Sequence, residues 1–331
     1  MTTPESTTPV TVIMPVLNEQ AYLEAAVAAI LAQDYPGPLQ LVLALGPSRD
    51  KTSQVAKSLA QRDPRITLVE NPSGRTPAGL NLAIAAATSQ IIVRVDGHTQ
   101  LPPNYVSTAV RVLVETGAAN VGGVMAAVGV TTFEKAVAAA MRSPLGVGAA
   151  RFHVGGQPGP ADTVYLGVFQ KSALDQVNGY DERFIRAQDW EMNYRIRKNG
   201  GLVYFTPELS VSYRPRPSLR ALSRQYFEYG RWRRVVIRRN PETANLRYLA
   251  PPAALLGSIS GLLGGLLWPA LFLLPATYLI FLTVASLRIT APPRIRPLLP
   301  IVLVVMQMSW GLGFLTSRKN LLAKSVRESS T

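Results

Sequence analysis

Cysteine is absent from this 331-residue chain, which excludes disulfides, thiolate metal sites and a cysteine nucleophile. Acidic residues are scarce beside basic ones, 20 against 34, so the net charge is +14 and the question is where the excess sits. Charge of either sign is missing from Leu249 to Leu287 and again from Pro297 to Ser317. A membrane-spanning helix needs about 20 apolar residues. The second run meets that length and the first approaches twice it. Uncharged stretches this long are rare in water-soluble domains, so a membrane-embedded C-terminal region is expected. Residues Met1 to Gln20 also lack a basic segment followed by an apolar one. No cleaved signal peptide is therefore expected, and the N-terminal part should remain in the cytoplasm.

Ten arginines fall between Arg214 and Arg247, against only Glu228 and Glu242. Such a block suits nucleic acid or the anionic head groups of a membrane. Its position directly before a long uncharged run favours the membrane, and no nucleic-acid motif accompanies it. Gly264-Gly265 and Trp268-Pro269 near the middle of the first uncharged run can fold it into a hairpin of two short spans. Three passes would leave the basic tail of Arg318, Lys319 and Lys324 outside, whereas two would leave Arg288, Arg294 and Arg296 there. The positive-inside rule does not separate these arrangements. Three is the expectation carried forward.

Before that region, apolar runs rich in β-branched residues alternate with helical periods. Val10–Val16, Leu39–Leu45, Arg65–Val69 and Ile91–Val95 read as strands. Ala21–Ala32, Thr52–Ala60 and Pro77–Ala87 read as the helices between them. This alternation predicts an α/β fold with a parallel sheet covered by helices. In such sheets ligands bind at the carboxyl ends of strands, where Asn18, Pro47 and Asp96 fall.

Four segments carry side chains suited to chemistry. Pro15-Val16-Leu17-Asn18-Glu19 follows the first strand, and an ordinary strand-to-helix loop would look the same. In Val95-Asp96-Gly97-His98 a carboxylate and an imidazole lie two residues apart and can offer oxygen and nitrogen to a divalent ion bridging a diphosphate. An isolated aspartate is equally at home as a helix cap. Arg186-Ala187-Gln188-Asp189-Trp190-Glu191 brings two carboxylates to what also reads as a helix start, favoured by the macrodipole. Gln225-Tyr226-Phe227-Glu228-Tyr229-Gly230-Arg231-Trp232 interleaves aromatics with arginine, as an interfacial amphipathic helix would.

Taken in order, these segments resemble family 2 glycosyltransferases of the GT-A fold, from about Thr11 into the hydrophobic tail. Pro15–Glu19 is similar to that family's P-x-x-N-E, Asp96-Gly97-His98 to a variant of its D-x-D, Gln188-Asp189 to its E-D pair, and Gln225 with Arg231-Trp232 to a stretched Q-x-x-R-W. Arg94–Thr99, Asp162–Gly167, Ala187–Arg197 and Arg224–Arg234 further resemble exopolysaccharide enzymes of the succinoglycan ExoA type, which add glucose to a lipid-linked sugar. The resemblance implies a nucleotide-sugar donor, a magnesium or manganese ion held by Asp96 with His98 as a second ligand, and Asp189 as the general base of a one-step, inverting displacement. It further implies that Pro15, Asn18, Glu19, Asp50 and Arg75 line the nucleotide pocket. Gln225, Arg231 and Trp232 would close over the diphosphate or the acceptor.

Many relatives end the second strand with an aspartate that pairs with uracil, whereas Leu45 or Ala44 stands there. A uridine donor is thus favoured by resemblance and not by this position. His98 in place of an aspartate shifts metal preference toward manganese. The expected organisation is a GT-A catalytic domain over residues 1–213, basic interfacial helices over 214–248, and a transmembrane region over 249–331. The expected setting is the inner membrane, with the catalytic domain on the cytoplasmic face and a lipid-linked acceptor. A polyprenyl-phosphate glycosyltransferase or a polysaccharide synthase would share these motifs, and a membrane-bound scaffold could keep the fold without the chemistry.

Overall fold

A computed structural model describes residues 8–322; Lys324, counted above in the basic tail, lies outside the described residues. The chain divides into two compact units, residues 8–125 with 155–212, and residues 126–154 with 213–322.

The first unit opens with β1 (Val10–Val16), α1 (Leu23–Leu31), β2 (Leu39–Leu45), α2 (Thr52–Arg62), β3 (Ile66–Glu70), α3 (Thr76–Ala85), β4 (Ile91–Arg94) and α4 (Tyr105–Thr116). The predicted strands and helices are all present; β1 and β2 have the expected bounds and the other ends are displaced by one or two residues at most. β1 is enclosed on both faces, which is why it reads as an unbroken apolar run rather than an alternating one. Val10, Val12, Met14 and Val16 face one hydrophobic cluster with α1 and α4, while Ile13 faces a second with α3. The β1–β2, β2–β3 and β1–β4 pairs are parallel.

Beyond β4 the sheet changes character. It continues through β5 (Asn120–Ala127), β6 (Gly159–Pro160), β7 (Tyr165–Gln170) and β8 (Val203–Tyr213) to give the order β3-β2-β1-β4-β7-β5-β8-β6. β7 pairs antiparallel with both β4 and β5, so the whole sheet is mixed rather than parallel. α5 (Thr132–Met141) and the one-turn helices α6 (Pro144–Val147) and α7 (Arg151–Val154) belong to the second unit. α8 (Lys171–Gln176) and α9 (Gln188–Lys198) return to the first, where α9 is tied down by polar bonds. The Asn120 side chain donates to the Asn193 side-chain Oδ1 at 2.6 Å, and the Asn193 Nδ2 donates to the Thr163 hydroxyl at 2.9 Å.

The second unit is completed by α10 (Leu219–Arg239), α11 (Ala250–Gly265), α12 (Leu273–Ser286) and α13 (Leu298–Thr316). α11 and α12 are joined by Leu266–Trp268 and a 3₁₀ turn, Pro269–Phe272, at the Gly/Trp-Pro position where a hairpin was expected. α10 lies backbone-to-backbone on α13: a Cβ on Gly230 would come within 2.0 Å of the Trp310 carbonyl, and one on Gly313 within 2.0 Å of the Phe227 carbonyl. Only glycine permits that approach. Among the described residues two segments, Pro269–Ser286 and Leu298–Thr316, are long and apolar enough to cross a membrane.

Candidate active site

The β1–α1 turn is built by polar side chains acting on backbone N–H groups. Asn18 adopts a left-handed conformation, φ 56°, which its short polar side chain tolerates. Its side-chain Oδ1 accepts from the Arg49 N–H at 2.8 Å, and its own backbone N–H donates to the Ser48 hydroxyl at 3.0 Å. Asp50 accepts from the N–H groups of Gln20 at 3.2 Å and Thr52 at 3.0 Å. The Thr52 hydroxyl bond, followed by these backbone donors, holds the Asp50 carboxyl below the usual range. Two loops are thereby fastened at adjacent strand ends, with Pro15 beside them in β1 opposite Ala44. Arg75, on the loop before α3, donates to the Glu182 carbonyl at 3.2 Å. Asn81 holds the same segment by donating to the Tyr180 carbonyl at 2.9 Å and the Glu182 carboxylate at 3.1 Å.

At the end of β4, Arg94 is 5% exposed. Its guanidinium donates to Asp96 at 3.1 Å and also to Asp189, which lies in the first turn of α9. Two carboxylates 93 positions apart in the sequence thus share one buried cation. Burial opposes the charge on Arg94, but Asp96 and the neighbouring groups more than offset this and hold its pKa above the ordinary value. The other face of the guanidinium lies 6.0 Å from the centre of the Tyr180 ring. Burial pushes the Tyr180 hydroxyl up to about 12, and this hydroxyl has no hydrogen-bond partner among the described residues.

The two α9 carboxylates differ sharply. Glu191 is 2% exposed and closed off by a two-pronged ion pair with Arg195, at 2.8 and 2.7 Å. The Asp189 side chain is 39% exposed and so reaches solvent. Ala187, left-handed at φ 59°, turns the chain into α9 just ahead of it. Asp189 is therefore the α9 carboxylate that an incoming group can approach.

His98 is half-exposed, with Nδ1 2.9 Å from the Glu19 carboxylate. A carboxylate on one imidazole nitrogen is how a metal-ligating histidine is commonly oriented through its other one. Asp96 and His98 together form a mixed oxygen and nitrogen donor set suited to magnesium or manganese. Among the described residues no three His, Asp or Glu side chains converge to hold an ion by themselves. These two residues can supply part of a coordination shell and leave the rest to a ligand.

Of the residues singled out in the sequence, contacts within the first unit link Asn18, Glu19 and Asp50 at one pair of loops, Glu19 to His98, and Asp96 to Asp189. Gln225, Arg231 and Trp232 lie on α10 in the second unit. There Gln225 donates to the Tyr213 and Tyr229 hydroxyls at 2.8 and 3.0 Å, Arg231 pairs with Glu228 at 2.7 Å, and Trp232 is fully buried. Sequence reasoning missed Arg94 and Tyr180. The signal for Arg94 was a cation inside the apolar run Ile91–Val95, since a buried charge must find a partner.

The sequence pattern described as Glycosyl transferase family 2 matches residues 11–177. Over 308 residues the chain is 32% identical to the succinoglycan biosynthesis protein ExoA of Rhizobium meliloti (strain 1021), covering 92% of this chain and 93% of that protein. It is 25% identical over 317 residues to a dolichyl N-acetyl-alpha-D-glucosaminyl phosphate 3-beta-D-2,3-diacetamido-2,3-dideoxy-beta-D-glucuronosyltransferase of Methanococcus voltae, covering 92% and 95%. Among solved structures, the mannosyltransferase PcManGT from Pyrobaculum calidifontis, in complex with GDP-Man and Mn2+, aligns with TM-score 0.59 at 17% identity, covering 93% of this chain and 86% of that one. S. aureus TarS 1-349 in complex with UDP aligns with TM-score 0.51 at 15% identity, covering 95% and 92%. At these identities the structural likeness concerns the GT-A fold.

Proposed function

The chain belongs to glycosyl transferase family 2 and is a glycosyltransferase of polysaccharide or glycan biosynthesis, and on that premise we propose that it moves a sugar, with inversion, from a nucleoside-diphosphate sugar to a lipid-linked acceptor at the cytoplasmic face of the inner membrane. The observation that carries this reading is the shared cation Arg94, which keeps a donor-side carboxylate, Asp96, and an acceptor-side carboxylate, Asp189, at one strand end.

In the proposed reaction Asp189 accepts the proton of the acceptor hydroxyl as that oxygen bonds to the anomeric carbon. The bond from that carbon to the diphosphate breaks, and the electron pair leaves with the diphosphate. General-base assistance of this kind is worth about 100- to 10,000-fold. Arg94 holds Asp189 in place. Asp96 and His98 would hold a divalent cation, with Glu19 setting the imidazole; when bound, the cation supplies neutralisation of the diphosphate charge. Pro15, Asn18, Glu19 and Asp50 shape the nucleotide pocket, and Arg75 offers paired donors to phosphate oxygens.

A nucleotide-sugar donor and a metal are supported by the GDP-Man, Mn2+ and UDP complexes of the two structural neighbours. A lipid-linked acceptor is supported by the M. voltae relative, whose name specifies a dolichyl-phosphate-linked sugar. The proposed organisation is a catalytic domain over 1–213, basic interfacial helices over 214–248 and a membrane region over 249–331. Full-length protein in vesicles, offered a panel of nucleotide sugars with and without lipid-linked sugar, tests the reading. Release of nucleoside diphosphate should require one donor, be stimulated by the lipid-linked acceptor and stop in chelator. Release that ignores the acceptor lipid, or survives chelator in full, would overturn the corresponding part.

A further inference from the structure

α12 and α13 are both apolar along their length, yet they have different surroundings. The candidate span Pro269–Ser286 is 11% buried within the protein, against 39% for Leu298–Thr316. Along α12 and the turn before it, Leu273 is 66% exposed, Ile280 63%, Phe281 57% and Val284 56%, and Leu263 on α11 is 65%. α11 seals against this segment through Gly261, where a Cβ would stand 2.6 Å from Pro275. The two helices thus form a hairpin with an apolar outer surface that no other described residue covers.

α13 is covered along one side, where Leu299, Val302, Leu303, Met306 and Phe314 are buried, and its neighbours carry polar groups at several levels. Gln307, near its middle, donates to the Leu145 carbonyl of α6 at 2.9 Å, and the Ser309 and Ser223 hydroxyls meet at 2.9 Å. At its C-terminal end Arg234 and Arg238 of α10 donate to the Phe314 and Ser317 carbonyls at 3.4 and 2.9 Å. Those arginines belong to a helix with seven arginines and a single acid. Were α13 to cross a bilayer, the charges of α10 would be carried into hydrocarbon with it.

The hairpin tip is unsuited to water on a far side. Leu266, Leu267 and Trp268 are 77%, 92% and 67% exposed, and the tip contains no charged residue. Its backbone is equipped for lipid: the N–H groups of Leu266, Leu267 and Trp268 donate to the carbonyls of Leu263 or Gly264, Leu271 donates to Trp268, and Pro269 has no N–H. At 16 residues, α11 is about 24 Å long, short of the roughly 30 Å hydrocarbon thickness.

From these observations we propose that the chain enters the membrane without crossing it: α11–α12 is a re-entrant hairpin whose tip ends in the hydrocarbon, and α13 is a brace packed on α10 at the face it entered from. This rests on the membrane placement proposed above and refines it. Arg247 before the hairpin, Arg288, Arg294 and Arg296 after it, and Arg318 and Lys319 beyond α13 then all lie on one side. Neither two nor three passes achieves that, and the positive-inside rule asks for it.

Because the chain has no cysteine, single cysteines report cleanly on sidedness. Full-length Ala244→Cys, Thr290→Cys, Asn320→Cys and Leu267→Cys are each treated with a membrane-impermeant maleimide in sealed right-side-out and inverted vesicles, with Leu266→Cys as a second tip reporter. The first three should label only in inverted vesicles, and the tip cysteines in neither until detergent is added. Labelling of a tip cysteine in right-side-out vesicles would mean a complete crossing, and labelling of Thr290→Cys or Asn320→Cys there would mean an odd number of crossings ahead of that residue. Either result overturns the re-entrant topology while leaving the membrane reading intact. Release of the unmodified chain by high-salt or alkaline wash would instead overturn the membrane placement itself and the hairpin with it.

Discussion

The two units handle charge and apolar surface in opposite ways. In the first, Arg94 is nearly sealed from water and meets two carboxylates, Glu191 is sealed and meets Arg195, and hydrophobic side chains fill two enclosed clusters. In the second, the arginines of α10 have one acid on their own helix and turn to carbonyls and rings, with Arg234 5.0 Å from the centre of the Phe314 ring. There many apolar side chains of α11 and α12, Leu263, Leu273 and Ile280 among them, are exposed. Enclosed, matched charges give fixed directions in which protons and phosphates can be handled. A helix whose cations outnumber its acids, beside exposed apolar helices, suits a surface whose partner is an extended sheet of lipid.

The largest expected effect comes from taking away the shared cation. Arg94→Met leaves Asp96 and Asp189 facing each other without a counter-charge, and breaking a buried ion pair costs about 3–5 kcal/mol. The partial exposure of Asp189 keeps the loss toward or below the lower figure. Thermal unfolding in detergent should show the loss, together with near-complete loss of transfer. An unchanged melting temperature would mean that the pairing is incidental. Asp189→Asn should be quieter in stability and lower transfer by about a hundredfold or more. Glu191 is too well closed off by Arg195 to replace it, so near-normal turnover in this variant would remove Asp189 from the role of base.

In the second unit the same contrast is probed by packing. Gly313→Val drives a side chain into the Phe227 backbone, and overpacking of this kind costs about 1–3 kcal/mol. Ile280→Ala, on the uncovered face of α12, should change stability in detergent by no more than about 0.5 kcal/mol. Equal losses from the two would contradict the distinction between brace and hairpin. For the same reason, a chain ended near Arg247 is a poor source of isolated catalytic unit, because it strips α13 from α10.

The smallest effect concerns His153, whose Nδ1 is sealed and without a hydrogen-bond partner among the described residues. Burial lowers its pKa from 6.5 to about 4. Between those values the unfolded chain binds more protons than the folded one, so stability should fall as pH drops from about 6.5 toward 4. The half-buried state of the residue keeps the effect modest. His153→Phe should flatten that part of the stability profile.

Much of the first unit was legible because strand and helix periods are local. β1 to β4, the helices between them and the polar residues at their ends follow from short windows of sequence. The antiparallel insertion of β7 between β4 and β5 was not, because pairing direction depends on the path of the chain rather than on the run Tyr165–Gln170 itself. Asp96 and Asp189 could each be singled out, but no local pattern says that they share Arg94. α12 and α13 looked alike because hydropathy records what a helix is made of and not what lies beside it. Trp232 likewise reads as an aromatic available to a ligand until its complete burial is seen.

The central claim is a division of labour across Arg94, with Asp96 on the donor side and Asp189 on the acceptor side. Calorimetric titration of nucleoside diphosphate with Mn2+ into full-length wild type, Asp96→Ala and Asp189→Asn, on matched preparations, tests it most directly. Loss of a metal ligand should weaken binding by about 10- to 100-fold and make the remainder insensitive to chelator, whereas Asp189→Asn should bind as wild type does. Equal weakening in both variants, or weakening in Asp189→Asn alone, would contradict the account.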